Sequence, residues 1–303
     1  MEKQLLEIEG FKVGEPLFLK NLILFPLTNG NKDFGRVEIL SEAKEKKHIE
    51  VRELASPKID TVIIKNKSPH RVFALDGEGI IGALQDRVIN TSALIAEKSE
   101  IEIPVSCVEE GRWSGSHEFL RARTISYPSL RAIICSTVSS SLHKTKKFAT
   151  DQNQIWSSIK KKIESFKITS RTSSLRDIYS SFRRHLESYQ EEVAFLKDLN
   201  GLLVFAGGRL LCLDLFANKK LFNKLKDQLI TSYALDALEI KTSAPPRVGE
   251  AKRLFREIKE AKVKTFPSFS LGDEIRFETK DLIGRGLVFN NSLFHLSAFP
   301  KIN

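Results

Sequence analysis

The chain has 303 residues, enough for one large or two ordinary domains, and its 41% hydrophobic content with 20 Phe is that of a globular core. No apolar run reaches the ~18–20 residues of a membrane span, the acidic opening MEKQLLEIEGFKVGE is not a secretory signal, and three scattered cysteines (Cys107, Cys135, Cys212) exclude a disulfide framework and a four-ligand zinc site. The expected setting is reduced and cytoplasmic. The net charge of +10 favours an anionic partner, against the plainer reading of a solvated Lys-rich surface in which Lys and Glu alternate.

Residues 2–40 alternate short apolar runs with Gly and Pro, with strands expected around Leu17 to Pro26 and a loop from Asn29 to Gly35. The charged segment 42–50 reads as one helical turn or a lead-in to a strand. From Ile49 the period is two. VRELASP, DTVIIKNKS and HRVFALDG are strands separated at Ser56–Pro57 and Ser68–Pro69, where each proline removes a ladder donor. Asp76–Gly77 is a turn signal. Glu78 to Gly82, Arg87 to Asn90 and Glu100 to Val108 are further short strands. Closely spaced strands of this kind point to a β-sandwich or jelly-roll-like domain over roughly residues 1–115.

LRAIICSTVSSSL reads as a short helix. Asp151 caps a helix whose face is Ile155, Ile159, Ile163 and Phe166. The strongest periodic signal follows, with Leu175, Ile178, Phe182, Leu186, Tyr189, Val193 and Leu196 at three-and-four spacing up to Asn200–Gly201, and the two helices are expected to pair as a hairpin. GLLVFAGGRLLCLDLF is a β-hairpin turning at Gly207–Gly208, and Asn218 caps the next helix. A link at Ala244-Pro245-Pro246 leads to an amphipathic helix from Val248, and Val263 to Phe299 reads as three strands with a turn at Gly284/Gly286. The expected fold class is α+β: a β-sandwich-like domain over 1–118, a helical segment with an antiparallel hairpin over 119–200, and an α+β domain with a mostly antiparallel sheet over 201–303.

Polar groups crowd one place in this strand-rich sequence: Glu78, Gln85, Asp86, Arg87, Asn90, Glu109, Arg112 and Trp113. Buried charges are costly unless paired, and two arrangements would satisfy them. In the first, Glu78 and Glu109 are the catalytic acid–base candidates or metal ligands. Gln85, Arg87, Asn90 and Arg112 would then bind an anion, with Trp113 as a stacking surface. In the second, the same groups form an internal network and Trp113 plugs a core. Cys107 is read as an inert buried thiol, because a nucleophile needs a base and His117 is only its neighbour in sequence. His117–Glu118 is too sparse for metal-ligand spacing, so no zinc site is expected there. GLLVFAGGR lacks the spacings of a phosphate loop, and Asp214 either joins a site or, the preferred reading, caps the following helix from the strand end. The basic stretch from Lys144 to Arg176 is read as a solvated helix face rather than a nucleic-acid surface.

The segments LDGEGIIGALQDRVINTS (75–92), IPVSCVEEGRW (103–113), GLLVFAGGRLLCLDLF and SYALDAL (232–238) resemble the domain family associated with ADP-ribosylglycohydrolase and rhodanese-phosphatase superfamily proteins, over roughly residues 45 to 240. The family pattern maps onto Gly77, Glu78, Gly82, Gln85, Arg87, Asn90, Cys107, Glu109, Gly111, Arg112, Trp113, Asp214 and Phe216, and Asp86 stands where that pattern has Asn. The resemblance carries no catalytic residue and leaves the cofactor open. By association it implies a link to ADP-ribose or nucleotide processing. Two functions are therefore weighed. One is a cytoplasmic protein that binds or processes an ADP-ribose- or nucleotide-like anion. The other is a non-catalytic adaptor whose helical hairpin meets a protein partner. Neither requires a membrane.

Overall fold

The strand Leu22–Thr28 is apolar almost throughout because both faces of its sheet are covered. Leu22 and Leu24 enter one core, whereas Ile23, Phe25 and Leu27 enter another, as the period of two demands. The computed structural model describes residues 8, 10–116, 118–121, 124–241 and 246–302. Ala244 and Pro245 of the expected link, and His117, lie outside them.

The fold is α+β with mostly antiparallel sheets. The largest sheet takes strands in the order Lys12–Val13, Leu22–Thr28, Gly201–Ala206, Arg209–Phe216, Ser292–Pro300, Leu282–Phe289, Asp273–Glu278 and Val263–Pro267, with Leu17–Leu19 also paired to Leu22–Thr28. Residues 12–28, grouped by sequence with the sandwich, thus hydrogen-bond into the sheet built by the C-terminal third. One face of this sheet packs on the helices Pro128–Thr145 and Lys219–Ala237, and the other on Val248–Lys259 through Ala251, Leu254, Phe255 and Ile258.

The remaining strands form a six-stranded sheet (Phe119–Arg121, Gly79–Gly82, Arg87–Ile89, Glu100–Cys107, Thr61–Asn66, Ile49–Arg52) and a three-stranded one (Ala93–Ile95, Arg71–Ala74, Val37–Ile39). These two share one core, in which Val51, Val62, Ile64 and Ile103 meet Val72, Ala74 and Ile95. The charged segment after Ile39 is both things expected of it: a helix, Leu40–Glu45, then the strand Ile49–Arg52.

Asp151 caps Gln152–Ser165 by accepting from the Asn153 and Gln154 amides, and Asn218 caps Lys219–Ala237 by accepting from Lys220 and Leu221. Gly207 and Gly208 turn the hairpin with φ of 51° and 75°, the left-handed pair that a two-residue turn needs. The short helix expected in LRAIICSTVSSSL extends over Pro128–Thr145. The long periodic stretch runs as Leu175–Ser181, Arg183–Glu191 and a single tight turn Val193–Phe195, with the break at Phe182 (φ −106°, ψ 11°). The second of these helices packs on Lys219–Ala237.

The C-terminal part holds four strands, not three, and its turn is at Asn290–Asn291, both with positive φ. Gly284 and Gly286 lie within Leu282–Phe289 instead. A Cβ on Gly284 would stand 2.0 Å from Cζ of Phe277 on the next strand, so the missing side chain is the space the ring occupies.

Candidate functional site

The stretch 75–115 supplies the turn after Leu75, the strands Gly79–Gly82, Arg87–Ile89 and Glu100–Cys107, and the loop that follows. Alternating side chains of these strands face different neighbours, so the predicted site residues are divided between locations.

Glu109, Arg112, Asp86 and Arg176 form one cluster. Arg112 Nε donates to Glu109 Oε2 at 2.8 Å, and its other nitrogens donate to Asp86 Oδ1 and to the carbonyls of Gly82, Ala83 and Ser114. The other Glu109 oxygen accepts from Thr172 Oγ1 at 3.0 Å, and Oε2 also accepts from the Asp86 amide. Burial pushes the Glu109 carboxyl up, but the Arg112 hydrogen bond, the Asp86 amide and Thr172 outweigh it and hold it below its ordinary value. Asp86 goes the other way: burial and the nearby Glu109 charge raise it despite the Gly82 amide and the two arginines. Arg176, half-exposed, reaches Asp86 at 3.5 Å. With every face of its guanidinium engaged, Arg112 clasps the loop to the sheet.

Arg87 lies beneath this clasp, fully buried. It donates to Gln85 Oε1 at 2.9 Å and stands 3.7 Å from Glu53, while Gln85 donates to the Glu109 carbonyl. Trp113 is 53% exposed, and the Arg87 guanidinium lies 5.6 Å from its ring centre. Cys107 pairs across the strands with Arg87, and burial raises its thiol. Asn90 turns inward, donating to the Phe148 carbonyl and accepting from Ser106.

Glu78 does not join Glu109. Oε2 accepts from the Leu75 amide at 3.0 Å, the residue is 0% exposed, and burial pushes the carboxyl up to about 8 against the weaker pull of the Leu75 and Ser41 backbone. It shares no hydrogen bond or ion pair with the Arg112 clasp.

A second and deeper network was not legible in the sequence. Arg131, from the helix Pro128–Thr145, donates to Asp76 at 3.0 Å and to both oxygens of Asp214, at 2.7 and 2.8 Å. Tyr233 and Ser297 also donate to Asp214, at 2.6 and 2.8 Å. Arg285 pairs with Glu274 at 2.5 Å and reaches Asp76 at 3.4 Å, and Arg276 lies 2.7 Å from Glu274. All these residues are buried, with three guanidiniums matched by three carboxylates. Burial would raise Asp76 and Asp214, but Arg131 and its neighbours hold both well below the carboxylate range. Burial lowers His295, leaving it neutral at pH 7. Arg285 donates to His295 Nδ1, so the ring proton sits on Nε2 and is donated to Ser297.

Asp214 is therefore a partner of Arg131 and Tyr233, not a helix cap. The available signal was period two: Glu274 and Arg276 in DEIRFE, Arg285 in LIGRGLVF, and His295 and Ser297 in FHLSAF place charged and polar groups on one face of apolar strands. Arg131 gave no signal, being one charge in an apolar helix.

In the Lys-rich helix, Lys160 pairs with Glu110, while Lys162 is buried between Asp236 and Glu239 over the Tyr127 ring. Among the described residues no group of His, Cys, Asp and Glu could hold a metal ion, and no helix is long and apolar enough to cross a membrane. The curated proteins and the solved structures give no match. A family model, the ARG and Rhodanese-Phosphatase-superfamily-associated Protein domain, matches residues 10–299. That span takes in both ion networks and all three sheets, and the chain belongs to this family, ARPP-1.

Proposed function

We propose that the protein binds an ADP-ribose- or nucleotide-like anion at the rim formed by Trp113, Arg171 and Arg176, and that Glu109 positions the rim rather than reacting. The observation that supports this reading is the half-exposed Trp113 indole, underpinned by a buried guanidinium and open to stack a base. Arg171 and Arg176 are exposed beside the same loop, where Gly111 donates to the Thr172 carbonyl. Glu109 has both oxygens occupied, and Glu78 is sealed, so neither is free to exchange a proton with a ligand at this rim. Family membership supports the ligand class by association.

Calorimetric titration of ADP-ribose, ADP and NAD into the full chain tests this. Binding heat that Trp113→Ala abolishes, with an unchanged melting temperature, is expected. Absence of heat with all three, or binding that Trp113→Ala leaves intact, would overturn it. Loss of ligand over hours in the wild type, abolished by Glu109→Gln, would restore the catalytic reading. One feature favours an adaptor instead: Phe195, at the end of the segment 152–199, is 50% exposed and offers a partner an anchor.

A further inference from the structure

A row of polar side chains crosses five neighbouring strands of the large sheet. Asp214 is opposite Ser297, Ser297 opposite Arg285, Arg285 opposite Arg276, and Arg276 opposite Lys264. Like charges directly opposite on a sheet repel. Within the core the repulsion is answered, because Arg276 and Arg285 share Glu274 and Arg131 lies between Asp76 and Asp214. At the end of the row it is not. Among the described residues neither Lys264 nor its neighbour Lys262 has an ion pair.

A cavity of about 290 Å³ opens at this end, lined by Ser139, His143, Lys262, Lys264, Arg276 and Glu278 together with Phe277. Its volume is at the small end of ligand sites. Arg276 is 2% exposed and is held from behind: its Nε lies 2.7 Å from Glu274, and it donates to the Cys135 carbonyl at 3.2 Å, to Ser139 Oγ at 3.4 Å and to Thr91 Oγ1 at 2.9 Å. Glu278, the one acid in the lining, is drawn toward Lys301 at 3.4 Å. His143 also reports the excess of positive charge. Its imidazole is lowered by burial, then by Lys264, and further by Lys146 and Arg276, with Glu278 opposing.

We propose that this pocket is a binding site for a phosphoryl-sized oxyanion, with Lys264 and Lys262 as its mobile cations and Arg276 as its fixed one. A doubly charged tetrahedral anion would lie between Lys264 and Arg276 and accept from the two lysines, with the buried Arg276 guanidinium adding its field rather than a hydrogen bond. The source is either free phosphate or the terminal phosphoryl group of a larger molecule. The site involves none of the Trp113 rim, so it stands or falls independently of that reading.

The test follows the His143 ring by NMR while inorganic phosphate, and separately pyrophosphate and ADP, are titrated into the full chain at constant ionic strength, with chloride as the control. A saturable His143 shift is expected, weakened at least tenfold in Lys264→Ala and retained in Trp113→Ala. Saturation by phosphate identifies the free ion. Saturation only by pyrophosphate or ADP identifies a phosphoryl group carried on a larger molecule. No saturable shift with any of the three, or an identical shift in Lys264→Ala, would overturn the proposal and leave the two lysines as guards of an exposed sheet edge.

Discussion

Arg276 and Arg285 stand directly opposite each other on adjacent strands, and one carboxylate, Glu274, lies against both. Two buried guanidiniums at this spacing are tolerable only because that anion is fixed between them, with Thr91 donating to its Oε1. The helix Pro128–Thr145 repeats the device from above, where Arg131 joins Asp76 of the turn after Leu75 to Asp214 of the large sheet. The network thereby ties the LDGEG turn to the sheet behind it.

Glu274→Gln removes one charge of a balanced set and leaves an unmatched buried guanidinium. The expected loss is about 3–5 kcal/mol of unfolding free energy, read from denaturant midpoints. Adding Arg285→Met restores the balance, so the double variant is expected to recover part of that loss. A double variant less stable than Glu274→Gln would mean that the two charges do not compensate each other.

Glu109→Gln tests the clasp. Arg112 would keep its carbonyl acceptors but lose the carboxylate that holds Nε, and the expected cost is about 2 kcal/mol. Because Glu109 is held below its ordinary value, its contribution is present above the unfolded value of 4.5 and lost as pH falls through the lower folded one. The stability gap between wild type and variant should therefore close in acid, below pH 4.5. A gap that persists unchanged there would remove the ionic account.

Glu78 has the opposite sign. Its folded carboxyl is raised to about 8 from 4.5, so between those values the folded state holds a proton that the unfolded chain has released. Stability contributed by the neutral form is complete below pH 4.5 and is lost as pH rises to about 8, by at most ~1.4 kcal/mol per pH unit for one proton. Glu78→Gln should flatten that slope and be more stable than wild type at pH 8.5. Parallel pH profiles would show that Glu78 does not titrate in this window.

Local patterns were enough for much of the architecture. The caps at Asp151 and Asn218, the Gly207–Gly208 hairpin and the amphipathic helix from Val248 rest on chemistry within a few residues of each site, and they form as the sequence implies. The polar crowding of 75–115 was equally visible, as was membership of the family it resembles.

What the sequence by itself determined is where most of the helices and several of the strands lie, and that charges gather between Leu75 and Gly115. What only the tertiary structure decided is which charges meet. Leu22–Thr28 pairs with Gly201–Ala206, Arg131 reaches Asp76 and Asp214, and Glu78 is separated from Glu109. The physical reason is that an ion pair depends on distances of a few ångströms between groups that can be more than a hundred residues apart. Periodicity tells which face a side chain takes, but the partner on that face is chosen by the packing of the sheets and helices around it.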